Sequence, residues 1–267
     1  MSTQAALRLG VSRCLLGEAV RYDGATKQSI RSWWPADTII EWIGVCPEVE
    51  LGMGVPREAV QLEGEATAPR MLGVKSRVDH TCAMHRWAKG RLAELGVEDL
   101  DGFVLKSRSP SCGLLDTDLV SGEEVLGSVD GLFTASLRAA FPFLPLTSES
   151  YLEDPSAREP FLTRARLFRS YKELVAKGAD PDELKSHHEA TLRAYQSWRT
   201  KSFSAHKAAV EAPAKATRKG EFRARNSLTS SLKDACEQAC RLQGADKAKE
   251  LTKYGQLLHD LLDPSRA

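Results

Sequence analysis

The chain has 267 residues, 42% of them hydrophobic and 27% charged, which excludes a wholly disordered or collagen-like polymer. Its 37 basic and 36 acidic side chains leave a formal charge of +1, a sum that alone argues against a nucleic-acid-binding protein. That sum conceals a split: residues 1–150 carry 15 Lys/Arg against 20 Asp/Glu, and residues 151–267 carry 22 against 16, so two modules with different partners are expected.

In chain order, Leu7–Ser12 is a short apolar segment running into Cys14, followed by Gly17 and an Arg21-Tyr22-Asp23-Gly24 turn. A second apolar stretch, Ile39–Val45, ends at Cys46-Pro47-Glu48. Asp79 is the expected N-cap of a helix to about Leu95, with Met84, Trp87, Ala88, Leu92 and Leu95 near helical spacing. Gly102–Leu105 reads as a buried strand ending in a polar loop, Lys106–Gly113. Leu132–Ala140 reads as a helix and Phe143–Thr147 as a short strand. Strands alternating with helices predict an α/β fold with a mostly parallel sheet and flanking helices.

Beyond Pro155 the sequence turns rich in Ala, Lys, Arg, Glu and Leu. Helices are predicted over Phe161–Ala176, Asp182–Arg199, Leu228–Leu242 and Ala245–Leu262, making a helical C-terminal domain. Lys201–Arg225 is a basic connector with seven Lys/Arg and two Glu, either a solvated helix–loop or a flexible segment. No apolar run approaches the roughly 18–20 residues of a membrane-spanning helix, and Met1–Leu9 lacks the pattern of a secretory signal. A cytoplasmic location with reduced thiols is therefore expected, with no membrane and no obligate protein partner.

The six cysteines are too sparse for a disulfide scaffold. Cys14, Cys46 and Cys112 each follow an apolar strand candidate, and in open parallel sheets ligand sites form beyond the carboxyl ends of strands. Three thiolates suit zinc or an iron–sulfur cluster, with one metal position left open. Three unrelated buried cysteines is the competing reading. His80, Cys82 and His85 resemble a metal cluster on paper, but their spacing spreads them around a helix. Cys236 and Cys240 share a helical face, for which core packing is the simpler explanation.

Three stretches together carry a resemblance. Cys14-Leu15-Leu16-Gly17 with Arg21-Tyr22-Asp23-Gly24, Cys46-Pro47-Glu48 with Gly52 and Pro56-Arg57, and Lys106-Ser107-Arg108-Ser109-Pro110-Ser111-Cys112-Gly113 resemble, in order, the thiouracil desulfidase (TudS) family. The resemblance runs to about residue 149. It implies a [4Fe-4S] cluster held by Cys14, Cys46 and Cys112, with one iron open to the sulfur of a thiocarbonyl substrate. A soft iron suits a soft C=S group, and activation needs no net electron transfer. A carboxylate must then accept a proton from the attacking water, a role the resemblance implies for Glu48. It also implies a serine of the Ser109-Pro110-Ser111 loop that places the water, Ser109 in first place and Ser111 as its rival. Arg21, Tyr22, Asp23 and Arg57 are candidates to orient the substrate, with an Arg–Asp pair that merely holds the loops as the alternative. Lys106 is a candidate to neutralise cluster charge or to snorkel at the strand end.

The resemblance continues through Tyr151-Leu152-Glu153-Asp154-Pro155 and Arg158-Glu159-Pro160-Phe161, which look like the junction of two-module members. Those members append a helical domain and act on 4-thiouridine in tRNA. The implied organisation is a cluster-binding desulfidase domain over residues 1–150 and a basic, tRNA-binding helical domain over residues 151–267. The candidate RNA-binding residues are Arg164, Arg166, Arg169, Arg199, Lys201, Arg218, Lys219, Arg223 and Arg225. Tyr171, Tyr195, Trp198 and Phe203 are interleaved and available to stack on unpaired bases. The expected substrate is thiolated tRNA, with free thiouracil as the alternative. Other readings are a zinc hydrolase on the same cysteines and a non-catalytic RNA-binding protein with a structural metal.

Overall fold

A computed structural model of the chain describes residues 6–209 and 230–262. It divides into two compact units, Met1–Phe161 and Leu162–Ala267. The division falls beyond the junction expected near residue 150 because the intervening residues pack into the first unit. Arg158 donates to the carbonyls of Leu152 at 2.9 Å and Trp33 at 3.1 Å, and the Phe161 ring lies 6.1 Å from that of Trp34.

The first unit is α/β. Its main sheet joins β1 (Leu7–Ser12), β2 (Ile40–Val45), β5 (Gly102–Leu105) and β8 (Leu146–Ser148) in the order β2-β1-β5-β8, all parallel. β5 is buried along its whole length, which explains its unbroken apolar run. The registers Leu9↔Gly102 and Val11↔Val104 place β5 directly against β1. Residue 102 is closely surrounded: a Cβ there would come within 3.1 Å of the Phe161 ring and 3.2 Å of the Pro145 carbonyl.

A second, mixed sheet was not foreseen. β3 (Val60–Glu65), β4 (Ala68–Gly73), β6 (Thr117–Ser121) and β7 (Glu124–Val129) pair in the order β4-β3-β6-β7. Only β3 and β6 run parallel. One face is buried, with Leu62, Met71 and Leu119 packed against Met84 and Leu132, while β7 is almost wholly exposed. Charges at Glu63 and Glu65 and the intervening Gly64 hide the alternation that marks a strand.

Helix α1 (Pro47–Glu50) is one turn, and α2 (Thr81–Val97) buries Met84, Ala88, Leu92 and Leu95. Asp79 was the expected N-cap. His80 occupies that position instead, and Asp79 accepts the Thr81 N–H at 2.9 Å from one residue further out. α3 (Leu132–Ala140) and the short α4 (Glu149–Leu152) complete the unit.

The second unit is helical, with α5 (Arg158–Ala176) from Leu162 onward, α6 (Pro181–Ala209), α7 over residues 230–241 and α8 (Gly244–Leu262). α6 runs ten residues beyond the predicted end at Arg199, into the segment read as a connector. Its core holds Leu167, Tyr171, Leu184, Leu232, Cys236 and Tyr254. The His187 ring bridges the Tyr254 hydroxyl and the Leu167 carbonyl, both at 3.0 Å. Cys236 is therefore a core residue, as packing alone suggested.

Two expectations for RNA contact are corrected here. Arg164 is 7% exposed, so its guanidinium is not presented to a strand in this conformation. Tyr171 is also interior, donating to the Leu251 carbonyl at 2.8 Å, with its hydroxyl pushed up to about 12 by burial. Arg166 is partly buried, and Arg169 lies 3.6 Å from Glu173 on the same helix. Arg199 and Lys201 fall on α6. Arg218, Lys219, Arg223 and Arg225 lie outside the described residues. Among the described residues no helix is long and apolar enough to cross a membrane.

Candidate active site

The three cysteines converge because their strands are neighbours. Cys14 sits in the 3-10 turn Arg13–Leu16 directly after β1, a turn closed by Gly17 at φ 87°. Cys46 caps the start of α1 directly after β2, and its N–H donates to the Glu50 carboxylate at 2.9 Å. Cys112 lies in the loop after β5. With β2, β1 and β5 adjacent, all three thiols emerge at the same carboxyl edge of the sheet.

The Cys112 loop is held by backbone geometry. The Ser109 hydroxyl accepts the N–H groups of Ser111 at 3.3 Å and Cys112 at 3.1 Å. The first amides of α3 close on the same loop: Leu132 donates to the Pro110 carbonyl at 3.0 Å, and Phe133 and Thr134 donate to that of Ser111 at 3.0 and 3.2 Å. Those amides would otherwise lack partners at the helix start. Both needs are met by one contact.

Glu48 is the second residue of α1. Its Oε2 accepts the Arg57 guanidinium at 2.7 Å from Nε and 2.5 Å from Nη2, and its Oε1 accepts the Ser111 hydroxyl at 2.8 Å. Arg57 Nη1 also donates to the carbonyls of Val20 and Gly54, each at 3.0 Å. The Arg57 side chain is 5% exposed and that of Glu48 12%, so the pair is sheltered from water. Val20's carbonyl also lies 3.8 Å from the Cys46 sulfur, which ties the Arg57 clamp to the cysteine cluster.

Of the two loop serines, Ser111 reaches Glu48 and Ser109 is spent on the turn. Arg21 pairs with Asp23 at 3.1–3.2 Å near the surface, and its charge is close enough to Cys14 to favour the thiolate. Tyr22 presents an exposed ring. Lys106 points toward Glu149 and Ser107.

Glu149 had escaped notice, because it lies 42 residues from Ser107 and its only local mark is the Ser148 cap before α4. It is 3% exposed, and its carboxylate accepts Lys106 Nζ, the Ser107 N–H at 2.6 Å and the Ser107 hydroxyl at 2.9 Å. Ser12 and Glu50 were likewise missed. The Ser12 hydroxyl accepts the Lys106 N–H at 3.0 Å and bonds the Cys112 thiol, favouring its ionised form. Burial alone would raise the Glu149 carboxyl, but the donors outweigh it and hold it below the usual carboxylate range. Its contribution to stability is therefore present above the ordinary carboxyl value of 4.5 and is lost as pH falls through the depressed value. In denaturant titrations between about pH 2 and 7, wild type is expected to lose stability on acidification more steeply than Glu149→Gln, with the two converging in acid. Parallel profiles would remove Glu149 from this role.

All three site thiols are pushed above the ordinary cysteine value. Burial is the leading cause for each, and Cys14 rises to about 11. Cys46 adds to the rise at Cys14, and both add to it at Cys112, so the sulfurs are close enough to repel one another when charged. Thiolates here require a positive counter-charge, which a metal centre supplies. A single zinc ion would need sulfurs about 2.3 Å from one point. Among the described residues no group of three His, Cys, Asp or Glu is arranged to hold a single ion. His80, Cys82 and His85 form no such group either, and Cys82 is exposed on α2.

No curated protein matches the chain. A solved structure described as a [4Fe-4S]-dependent thiouracil desulfidase, TudS, is 29% identical, with 57% of this chain and 97% of that chain covered at a TM-score of 0.45. The family model described as 2-thiouracil desulfurase matches residues 9–149, just over half of the chain and the whole span from β1 to the start of α4. The chain therefore belongs to the 2-thiouracil desulfurase family of enzymes.

Proposed function

We propose that the chain hydrolyses the C=S bond of a thiolated uracil, with 4-thiouridine in tRNA as substrate, using a [4Fe-4S] cluster held by Cys14, Cys46 and Cys112. The observation that carries this reading is the Glu48 carboxylate, clamped by Arg57 and Ser111 beside three converging thiols. When bound, the cluster supplies a soft Lewis acid for the thiocarbonyl sulfur. The chain supplies the rest. Arg57 occupies Glu48 Oε2, so Oε1 is the oxygen that takes the proton from water. Ser111 donates to that oxygen and fixes where the water sits. Water gives one proton to Glu48 as its oxygen bonds to the carbon; the second proton passes from that oxygen to sulfur as the C–S bond breaks, and sulfur leaves as hydrosulfide. Ser109 supports the loop through the amides of Ser111 and Cys112. Lys106, oriented by Glu149, places positive charge near Cys14.

RNA as the carrier of the thiolated base is supported by the excess of six basic side chains over residues 151–267. Arg166, Arg169, Arg199, Lys201, Arg218, Lys219, Arg223 and Arg225 are the residues proposed to meet it. Anaerobic reconstitution followed by mass spectrometry of nucleosides from thiolated tRNA tests this. The expected result is conversion of 4-thiouridine to uridine with release of sulfide, and RNA affinity that falls steeply with salt. Unchanged 4-thiouridine alongside desulfuration of free thiouracil would make the free base the substrate.

A further inference from the structure

Helix α1 is a single turn of four residues, too short to be stable by itself, so its position depends on what grips it from outside. Glu50 closes the turn on Cys46 twice. Its N–H donates to the Cys46 carbonyl at 2.9 Å, and its Oε1 accepts the Cys46 N–H at 2.9 Å. Both backbone polar groups of this cysteine are thereby spent on one residue, and the sulfur is left for the site. The second oxygen, Oε2, lies 3.3 Å from Arg91 Nε on α2.

Arg91 meets two further carboxylates, Glu94 at 2.9 Å and Glu98 at 3.3 Å. Glu94 is 68% exposed and one turn away on the same helix, so that pair contributes little. The contact with Glu50 differs in kind. It joins two elements, and the two side chains are only 16% and 23% exposed. α2 is itself fixed, since Met84, Ala88, Leu92 and Leu95 are buried along its other face. Arg91 is thus an arm from a rigid helix to a turn that cannot hold itself.

The charges of this turn are arranged in pairs. Glu48 is matched by Arg57 and Glu50 by Arg91, each guanidinium coming from a different element. Glu48 faces Ser111, whereas Glu50 faces the backbone of Cys46. A carboxylate held on the amide of a metal-ligating cysteine opposes reduction of the metal centre, and a guanidinium beside it offsets that effect.

We infer that Arg91 is a positioning residue for Cys46, acting through Glu50, and that the Glu50–Arg91 pair sets the charge felt by the centre that Cys46 holds. The second half rests on the [4Fe-4S] reading for the identity of that centre; the placement of Cys46 does not.

Alkylation of the reduced, metal-free full chain with iodoacetamide, followed thiol by thiol in a mass spectrometer, tests the placement. In Arg91→Met, Cys46 is expected to react about tenfold faster as its backbone loosens, with Cys14 and Cys236 unchanged. Arg91→Lys, which keeps a charge within reach of Glu50, should recover most of the slow rate. Unchanged labelling of Cys46, or all six thiols accelerating together, would make Arg91 a residue of general stability and overturn the inference.

Spectroelectrochemical titration of the reconstituted protein tests the charge. Arg91→Met should lower the reduction potential and Glu50→Gln raise it, each by about tenfold in the reduction equilibrium, or about 59 mV for one electron. Glutamine can still accept the Cys46 N–H, so this variant removes the charge and keeps the bond. A merely structural pair would shift stability in one direction for both variants and would not move the potential in opposite directions. Shifts of the same sign, or none, would remove the charge role. A chain that takes up no iron while Cys46 alone responds to Arg91→Met sinks the cluster reading and leaves the placement. An iron-loaded chain whose Cys46 labelling ignores Arg91 sinks the placement alone.

Discussion

Glu48→Gln is expected to lower turnover by about a hundredfold to ten-thousandfold, the usual range for losing a general base, while the reconstituted protein retains its iron. Glutamine has nearly the shape of glutamate and no lone pair basic enough to take a proton from water. It also leaves Arg57 without its carboxylate. That guanidinium is buried but keeps its bonds to the Val20 and Gly54 carbonyls, so stability falls by up to about 3–5 kcal/mol while Arg57 stays in place. Glu48→Asp separates the two effects: it retains the charge for Arg57 and withdraws the carboxylate by one methylene from Ser111 and the water. Ser111→Ala should reduce turnover with the iron content intact, and Ser109→Ala should act mainly on loop stability. Sulfide release under single-turnover conditions, iron content and denaturation midpoint together read all four variants. Near-wild-type turnover in Glu48→Gln would remove Glu48 as the base.

These roles show what a linear reading reaches. β1, β2 and β5 are legible because buried parallel strands leave apolar runs, and each run is followed, within seven residues, by a cysteine with Gly or Pro close by. Glu48 is legible because it belongs to the same short motif as Cys46. The choice between Ser109 and Ser111 is not, since both lie in one loop and only the fold decides which hydroxyl faces α1. Glu149 escapes for a related reason: a lone carboxylate acquires meaning from partners distant in sequence. Arg164 shows the opposite error. A helical face counted from spacing looks basic, but Phe161, Leu162 and Ala165 beside it are all buried, and Arg164 goes in with them. Periodicity gives the faces of a helix; packing decides which face is inside.

Gly131→Ala is expected to disable the site from a position that carries no chemistry. Gly131 immediately precedes α3, and its backbone is ordinary extended chain at φ −60°, so the constraint is space rather than conformation. A Cβ there would strike the Ser111 carbonyl carbon and lie 2.5 Å from its oxygen and 2.7 Å from the Cys112 nitrogen. All three are backbone atoms, and none can swing aside as a side-chain tip does. The loop is also bound to α3 through the amides of residues 132–134, so helix and loop must separate for the methyl group to enter. That separation moves the Cys112 thiol and the Ser111 hydroxyl together. The expected cost is about 3 kcal/mol or more, the upper end for overpacking, with iron retention and turnover lost in parallel. Gly90→Ala is the control. Gly90 is exposed within α2 and a Cβ there meets nothing within 4 Å, so alanine should stabilise the chain by about 0.5–1 kcal/mol. Urea denaturation and iron content after reconstitution read both variants. Wild-type iron content in Gly131→Ala would mean that the packing of α3 on the loop is not what sets the position of Cys112. Opposite shifts for the two glycines would locate the demand in the close approach of two backbones, which is what brings Cys112 and the serine on Glu48 into one site.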